Sequence, residues 1–104
     1  MIAVLFEAQA RPEHQARYLH LAAELKPLLA QVDGFIAIER FQSLTDEKKI
    51  LSLSWWRDEA AVLAWKNNPQ HQAAQREGRE TLFAGYSLRI ATLVREYASK
   101  PETN

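Results

Sequence analysis

Residues 50–80 read ILSLSWWRDEAAVLAWKNNPQHQAAQREGRE, and this stretch passes from a strand pattern to a helix pattern within a few residues. Its first residues alternate leucine with serine, which is typical of a strand. Asp58 is a residue type that caps helices, so we predict a helix from there to about Lys66. Pro69 can begin a second helix that runs toward Gly78. The stretch therefore predicts one strand followed by a helical region that is broken in two.

The residues before this stretch predict the strand that pairs with it. FIAIERFQS, residues 35–43, has the composition of a strand, and TDEK, residues 45–48, is a hairpin turn signal. We expect the two strands to pair antiparallel.

The first thirty residues predict another strand and a long helix. Residues 2–10 are apolar almost throughout, which indicates a strand covered on both faces. From Glu13 apolar residues recur at helical spacing, with Pro12 suited to the first turn. Pro27 has no amide hydrogen, so we expect this helix to kink or restart there before Gly34 closes the segment.

YSLRIATLVREY, residues 86–97, supplies the last strand pattern. The order β-α-β-β-α-β folds into a four-stranded antiparallel sheet with helices on one face, the ferredoxin-like α+β arrangement. We predict a single domain over residues 1–98 and a frayed C-terminal tail over residues 99–104.

Composition excludes several classes of function. The 104 residues contain 13 Lys+Arg and 13 Asp+Glu, so the formal net charge is zero. Such a chain has no overall positive charge to attract phosphate backbones, and we expect no nucleic-acid partner. The absence of Cys excludes thiolate nucleophiles and iron–sulfur clusters. The apolar run at residues 1–10 meets Glu7 far short of a membrane span or a signal sequence. We therefore expect a cytoplasmic protein with no membrane partner.

The second face of the sheet needs a cover, because the strands are apolar at positions of both parities. At this chain length another copy of the same sheet can cover that face, which predicts a homodimer packed sheet face to sheet face. Trp55 and Trp56 are adjacent on one strand and must point to opposite faces. Either of them can be the one that faces the helices.

Residues 50–80, together with QVDGFIAIERFQS (31–43) and the opening and closing strands, resemble the small antibiotic biosynthesis monooxygenase (ABM) domain proteins. These proteins form dimeric ferredoxin-like α+β barrels, and the resemblance covers essentially the whole chain. Members include cofactor-independent oxygenases acting on polyphenolic or quinol-like substrates, haem-degrading monooxygenases, and proteins with no established activity. The shared fold does not choose among these functions.

The resemblance implies a pocket between the helices and the sheet, for which three residues are candidate catalytic groups. His71 can act as a base because an imidazole has an unperturbed pKa of ~6.5, although a histidine that starts a helix needs no function. Glu7 is a carboxylate within an apolar strand and is a second candidate base if it faces the cleft. Arg79 can hold a substrate oxyanion. Alternatively, it is a cation near a helix C-terminus, where the helix dipole stabilises it and no function is needed. The candidate substrate-binding walls are aromatic: Trp65, Trp55, Phe83 and Tyr86.

The haem-degrading branch of the family carries Asn, Trp and His at places that fall on Glu7, Trp65 and Gln75 here. Only the tryptophan matches, and glutamine is a poor iron ligand beside imidazole. No metal site is expected, since His14 and His20 are six residues apart and cannot share a helical face.

We therefore predict a cofactor-independent monooxygenase that acts on a small aromatic substrate of phenolic, quinol or anthrone type. This chemistry needs only a base, oxyanion stabilisation and a dry aromatic pocket. A haem-binding or haem-degrading monooxygenase is the first alternative. A non-catalytic binding module with the same fold is the second.

Overall fold

The computed structural model describes residues 1–101, and its elements follow the predicted order. The four strands form one antiparallel sheet in the order β2-β3-β1-β4, which confirms the ferredoxin-like α+β fold. The elements are β1 (Ile2–Ala10), a 3-10 turn (Pro12–His14), α1 (Gln15–Ala30), β2 (Phe35–Gln42), β3 (Lys49–Trp56), α2 (Glu59–Lys66), α3 (Pro69–Glu77), a π-helical turn (Gly78–Leu82) and β4 (Phe83–Thr92).

The sheet has two different faces, which we call the helix face and the open face. Successive side chains of a strand point to opposite faces, and residues paired across neighbouring strands share a face. Even-numbered residues of β1, β3 and β4 lie on the helix face, because Ile2 and Trp56 belong to the core that packs under the helices. Odd-numbered residues of these strands lie on the open face, except Phe83, which pairs with Ala10 beyond a register shift and therefore lies on the helix face.

The core lies between the sheet and the helices, and Trp56 is the tryptophan of β3 that faces the helices. Trp56 is 2% exposed and packs edge-on against Phe35, with ring centroids 5.2 Å apart. Its indole Nε1–H donates to Ser54 Oγ at 2.9 Å, so the buried polar group is satisfied. Trp55 therefore lies on the open face. Leu29, Ala61 and Trp65 complete the buried cluster.

α1 does not restart at Pro27, which corrects one of the two expectations for that residue. The helix runs unbroken from Gln15 to Ala30 with Pro27 in its last turns. Only a few residues follow the proline, and the flanking Leu25 and Leu28 pack against the core. That packing holds the last turn together where one backbone hydrogen bond is missing.

The helix after Pro69 also continues further than predicted, because it passes through Gly78 into the π-helical turn and stops at Leu82. Gly78 is right-handed helical with φ −57°. The position requires glycine for space, since a Cβ there would lie 2.5 Å from Cε2 of Phe83. β4 accordingly begins at Phe83, three residues before the predicted start, and ends at Thr92, five residues before the predicted end.

Residues 93–101 have no regular secondary structure, and the last three residues of the predicted tail, 102–104, lie outside the described part of the chain. Among the helices of residues 1–101, none is long and apolar enough to cross a membrane.

Gly34 is expected to be a stability determinant of the α1–β2 turn. Its φ is +94°, and an added Cβ would lie 2.7 Å from the Cβ of Ala61. Gly34→Ala should lower the free energy of unfolding by about 1–3 kcal/mol, measured by urea denaturation, because strain and a clash add together. Gly85→Ala is the matched control, since the nearest atom to its Cβ, Gln9 Oε1, is 3.9 Å away. Equal losses in both variants would contradict this explanation.

Candidate active site

The break between α2 and α3 brings together the residues that can do acid–base chemistry. α2 begins at Asp58, whose carboxylate accepts a hydrogen bond from the backbone N–H of Ala61 at 3.0 Å. This bond, together with one from the Arg57 guanidinium, holds the pKa of Asp58 below its usual value. α3 begins at Asn68, whose Oδ1 accepts from the backbone N–H of His71 at 2.9 Å. Both helix starts are therefore fixed by side-chain caps.

His71 lies flat against Trp65. The two rings are stacked, with centroids 4.5 Å apart and planes inclined by 24°. Trp65 is 8% exposed and belongs to the core, so its indole is a rigid platform for the imidazole. The sequence placed these two residues in one region, and the structure shows that they are in contact.

The contact also decides which nitrogen of His71 is basic. Nδ1 lies 3.1 Å from the backbone carbonyl oxygen of Trp65. A carbonyl can only accept, so this geometry assigns the hydrogen to Nδ1 and leaves the lone pair of the neutral ring on Nε2. Burial lowers the pKa of His71, and the bond to Trp65 opposes this only in part. The ring is therefore neutral at neutral pH and can accept a proton at Nε2.

An apolar wall lies on the helix face of β4. Tyr86, Leu88 and Ile90 are each 51% exposed, although they point to the same side of the sheet as the helices. The helices thus leave this edge of the sheet uncovered. A flat apolar molecule can lie against these side chains without displacing any part of the core.

Phe83 and Tyr86 form an aromatic cluster at the far end of α3. The Phe83 ring lies 5.6 Å from Phe6 and 5.4 Å from Tyr18, and Tyr86 lies 6.1 Å from Phe6. Gly78, which packs on Phe83, lies seven residues after His71. At the α-helical rise this is a distance of roughly 10 Å along the helix axis. His71 and the cluster therefore lie at opposite ends of α3.

Glu7 and Trp55 lie on the open face, opposite to His71 and Trp65. The alternation of β1 puts Glu7 there, and Lys49 and Arg89 from the neighbouring strands approach its carboxylate at 3.4 and 3.8 Å. The two candidate bases therefore do not share a site. The strand pattern could not reveal this, because both parities of β1 are apolar.

Arg79 is exposed and lies within the π-helical turn. It follows the α-helical part of α3, which ends at Glu77, and the helical path continues as the π-helical turn to Leu82. In residues 1–101 no ion pair involves its guanidinium, and the ring that stacks on Trp65 is that of His71. It is therefore free to meet a ligand but is not part of the stack on Trp65.

Arg17 and Glu77 form a contact that the sequence did not suggest. Their side chains make two hydrogen bonds, at 2.7 and 3.0 Å, that tie α1 to α3. The Arg17 bonds hold the pKa of Glu77 below its usual value. The pair closes one end of a groove of about 270 Å³ between the two helices. The partners are 60 residues apart, so no local pattern could have identified them.

No group of three His, Cys, Asp or Glu side chains in residues 1–101 is placed to hold a metal ion. Gln75 lies on α3, one helical turn after His71.

The fold and the α2–α3 break define a class of small α+β proteins with a helix-covered sheet. The sequence model of the antibiotic biosynthesis monooxygenase family matches residues 1–77, and this chain belongs to that family as a monooxygenase-like protein. Jasmonate monooxygenase ABM of Pyricularia oryzae is 42% identical over 90 residues, which are 86% of this chain. This chain spans under half of that relative, because the match covers only 42% of it.

Two further proteins are similar to this chain. The uncharacterized protein YqjZ of Bacillus subtilis is 26% identical over 102 residues, which cover 98% of this chain and 87% of YqjZ. A Deinococcus radiodurans protein whose structure carries the same family name superposes with a TM-score of 0.85 at 15% identity, over 97% of this chain and all of that chain. At that identity the likeness shows the fold alone.

Asn68 should be needed for the start of α3. We expect Asn68→Ala to lower the free energy of unfolding by about 1 kcal/mol, because the backbone N–H of His71 loses its partner. Asn67→Ala is the matched control, since the side chain of Asn67 makes no hydrogen bond within residues 1–101, whereas that of Asn68 does. Urea denaturation measures both, and a loss in Asn67→Ala as large as in Asn68→Ala would contradict the capping role.

Stability should depend on pH through His71. Its folded pKa is lowered from 6.5, so the unfolded chain binds the proton more readily, and His71 reduces stability as pH falls below about 6.5. His71→Asn keeps a donor near Nδ1 and cannot titrate in this range. It should flatten the loss of stability between pH 7.5 and 5.5 in thermal unfolding. Identical pH profiles for the two proteins would show that His71 titrates as in water.

Proposed function

We propose that this protein is a cofactor-independent monooxygenase acting on a small aromatic substrate of phenolic, quinol or anthrone type. The observation that carries the proposal is the stack of His71 on Trp65, in which Nδ1 donates to a backbone carbonyl and Nε2 is left basic. Membership of the monooxygenase family supports the reaction class. The uncovered apolar stripe of β4 supports an aromatic ligand.

The chemistry needs no external reductant. His71 Nε2 accepts a proton from the substrate, and the resulting aromatic anion transfers an electron to dioxygen. For an anthrone, the ring CH₂ becomes a carbonyl that holds one oxygen atom, and the other oxygen atom leaves as water with the two hydrogens. The substrate supplies all the electrons, so atoms and charge balance without a cofactor.

The proposed walls of the site are Trp65 beside the base and Tyr86 and Phe83 toward the far end of α3. Arg79 lies eight residues after His71, about 12 Å along the helical path. We therefore assign it the stabilisation of an oxyanion only for a substrate of several fused rings that reaches the π-helical turn. Solvent around Arg79 weakens this stabilisation, because it is exposed.

Glu7 is the second candidate base, and it would act in a different place. Its carboxylate faces Lys49 and Arg89 on the open face, where Trp55 would be the aromatic wall. This carboxylate is engaged with two cations and lies apart from the stack of His71 on Trp65. His71 is therefore the base that we favour.

Oxygen uptake by metal-free protein with a panel of dihydroxyarenes and anthrones tests the proposal. We expect His71→Ala to lower kcat/KM by about 10²–10⁴-fold, the usual contribution of a general base. Glu7→Gln should retain most of the activity. His20→Ala is the control for loss of a histidine, since His20 is exposed on α1 and pairs with Glu24. Loss of activity in Glu7→Gln alone would move the site to the open face.

Two further measurements distinguish the proposed function from a haem-binding protein and from a non-catalytic module. Titration with haemin should leave the Soret band at the position of free haemin, whereas a Soret shift that disappears in His71→Ala would favour a haem-binding function. Jasmonate belongs in the substrate panel because one relative is named for it. No oxygen uptake with any substrate, together with no Soret shift with haemin, would favour a non-catalytic binding module.

A further inference from the structure

The side of α3 that carries His71 also carries Gln75. The two residues are four apart, so their Cβ atoms lie about 5–6 Å from each other on one side of the helix. Both are partly buried, whereas Gln72 and Arg76 are exposed. Helical side chains lean toward the N-terminus of their helix, so the carboxamide of Gln75 extends toward the turn that holds His71.

Gln75 lies on the side of α3 that faces away from α1. The residues of α3 that line the groove against α1 are Gln70, Ala73, Ala74 and Glu77. At about 100° per residue, Gln75 is turned by about 150° from the middle of that set and by only about 40° from His71. α1 contacts β2, so α1 lies toward the β2 edge of the sheet. The side of α3 with His71 and Gln75 therefore faces the β4 edge.

The β4 edge presents the uncovered apolar stripe of Tyr86, Leu88 and Ile90 on the helix face. A flat ligand on this stripe lies below the side of α3 that carries the imidazole and the carboxamide. Gln75 is thus placed to meet the same ligand as His71.

The carboxamide of Gln75 is free to bind a ligand. Within residues 68–78, the side chains that form hydrogen bonds to the described part of the chain are those of Asn68, His71 and Glu77. The polar atoms of Gln75 are not sealed in, because the one buried side-chain atom without a partner in residues 1–101 is Arg40 Nε. A carboxamide supplies two N–H donors and a carbonyl acceptor.

We propose that the Gln75 carboxamide donates a hydrogen bond to a ring oxygen of the substrate while His71 Nε2 takes the proton, which makes Gln75 a second catalytic residue. This inference rests on the proposed function. When the proton leaves, its electron pair stays on the substrate, and negative charge spreads through the ring to that oxygen. The hydrogen bond strengthens as the oxygen becomes an oxyanion, so it stabilises the transition state more than the bound substrate.

The spacing of the two side chains selects a class of substrate. Two groups one helical turn apart reach two points of a ligand that are about 5–6 Å from each other. The acidic hydrogen and the ring oxygen should therefore lie on opposite sides of one six-membered ring, as they do in a para-quinol or an anthrone. In a catechol the two oxygens are adjacent and cannot meet both side chains. We therefore expect para-quinols and anthrones to be preferred to catechols.

Gln75 and Arg79 serve substrates of different size. Arg79 is about 12 Å from His71 along the helical path, a distance that only several fused rings span. Gln75 is one turn from His71, about 5.4 Å along the axis, and meets an oxygen on the same ring as the acidic hydrogen. An amide also costs less to desolvate than a guanidinium when an apolar ligand covers it.

Oxygen uptake by matched glutamine variants tests the catalytic role. Gln75→Leu removes both hydrogen-bonding groups from a helix position, and it should lower kcat for hydroquinone and anthrone at least about tenfold with little change in KM. Gln75→Glu should be less active still, because a carboxylate repels the developing oxyanion. Gln72→Leu is the control on an exposed position of the same helix and should leave kcat unchanged. The wild type should have a higher kcat/KM for hydroquinone than for catechol.

Binding of a quinone tests the same contact without turnover. 1,4-Naphthoquinone carries its two oxygens across one ring, and the chain has no Cys thiol that could add to it. In ¹⁵N-labelled protein it should shift the side-chain amide resonances of Gln75 and leave those of Gln72 in place. Gln75→Leu should raise the Kd for naphthoquinone about fivefold, the contribution of one hydrogen bond.

The two measurements separate this inference from the proposed function. A wild type that consumes no oxygen, but in which naphthoquinone shifts the Gln75 resonances, would refute the proposed function and support the hydrogen bond to a ring oxygen. Oxygen uptake that is the same in Gln75→Leu as in the wild type would overturn the inference and leave the proposed function standing. A preference for catechol, or naphthoquinone binding that is indifferent to Gln75→Leu, would overturn it as well. Circular dichroism checks that each variant is folded.

Discussion

The alternation of side chains across a single sheet, only one face of which carries helices, is the constraint on which this structure depends. It sends Trp56 into the core and Trp55 to the open face. It also separates Glu7 from His71, although both are plausible bases by residue type. The molecule consequently has two chemically different surfaces, one built around an imidazole and the other around apolar side chains with paired charges.

Local signals in the sequence predicted local structure well. Asp58, the Pro69 restart and the β2–β3 turn each lie where the chain pattern placed them, because a cap or a turn depends on a few neighbouring residues. The face of each strand residue was harder, since apolar residues occupy both parities. Contacts between distant residues, such as the pair of Arg17 and Glu77, leave no pattern at all in the sequence.

The proposed base draws its properties from its surroundings more than from its residue type. Trp65 presents the imidazole with a flat apolar surface and with a hydrogen-bond acceptor at the same time. Burial favours the uncharged ring, and the acceptor fixes which nitrogen stays unprotonated. A histidine at an ordinary exposed helix start would have neither property, which is why the sequence left its role open.

Pro69 has a chemical consequence beyond the break that it causes. In a continuous helix the carbonyl of Trp65 would accept from the backbone N–H of residue 69, and proline has no such hydrogen. The vacant acceptor site is shared by the backbone N–H of Asn68, at 3.0 Å, and Nδ1 of His71. A missing amide hydrogen in the backbone thereby selects the tautomer of a side chain two residues further along the chain.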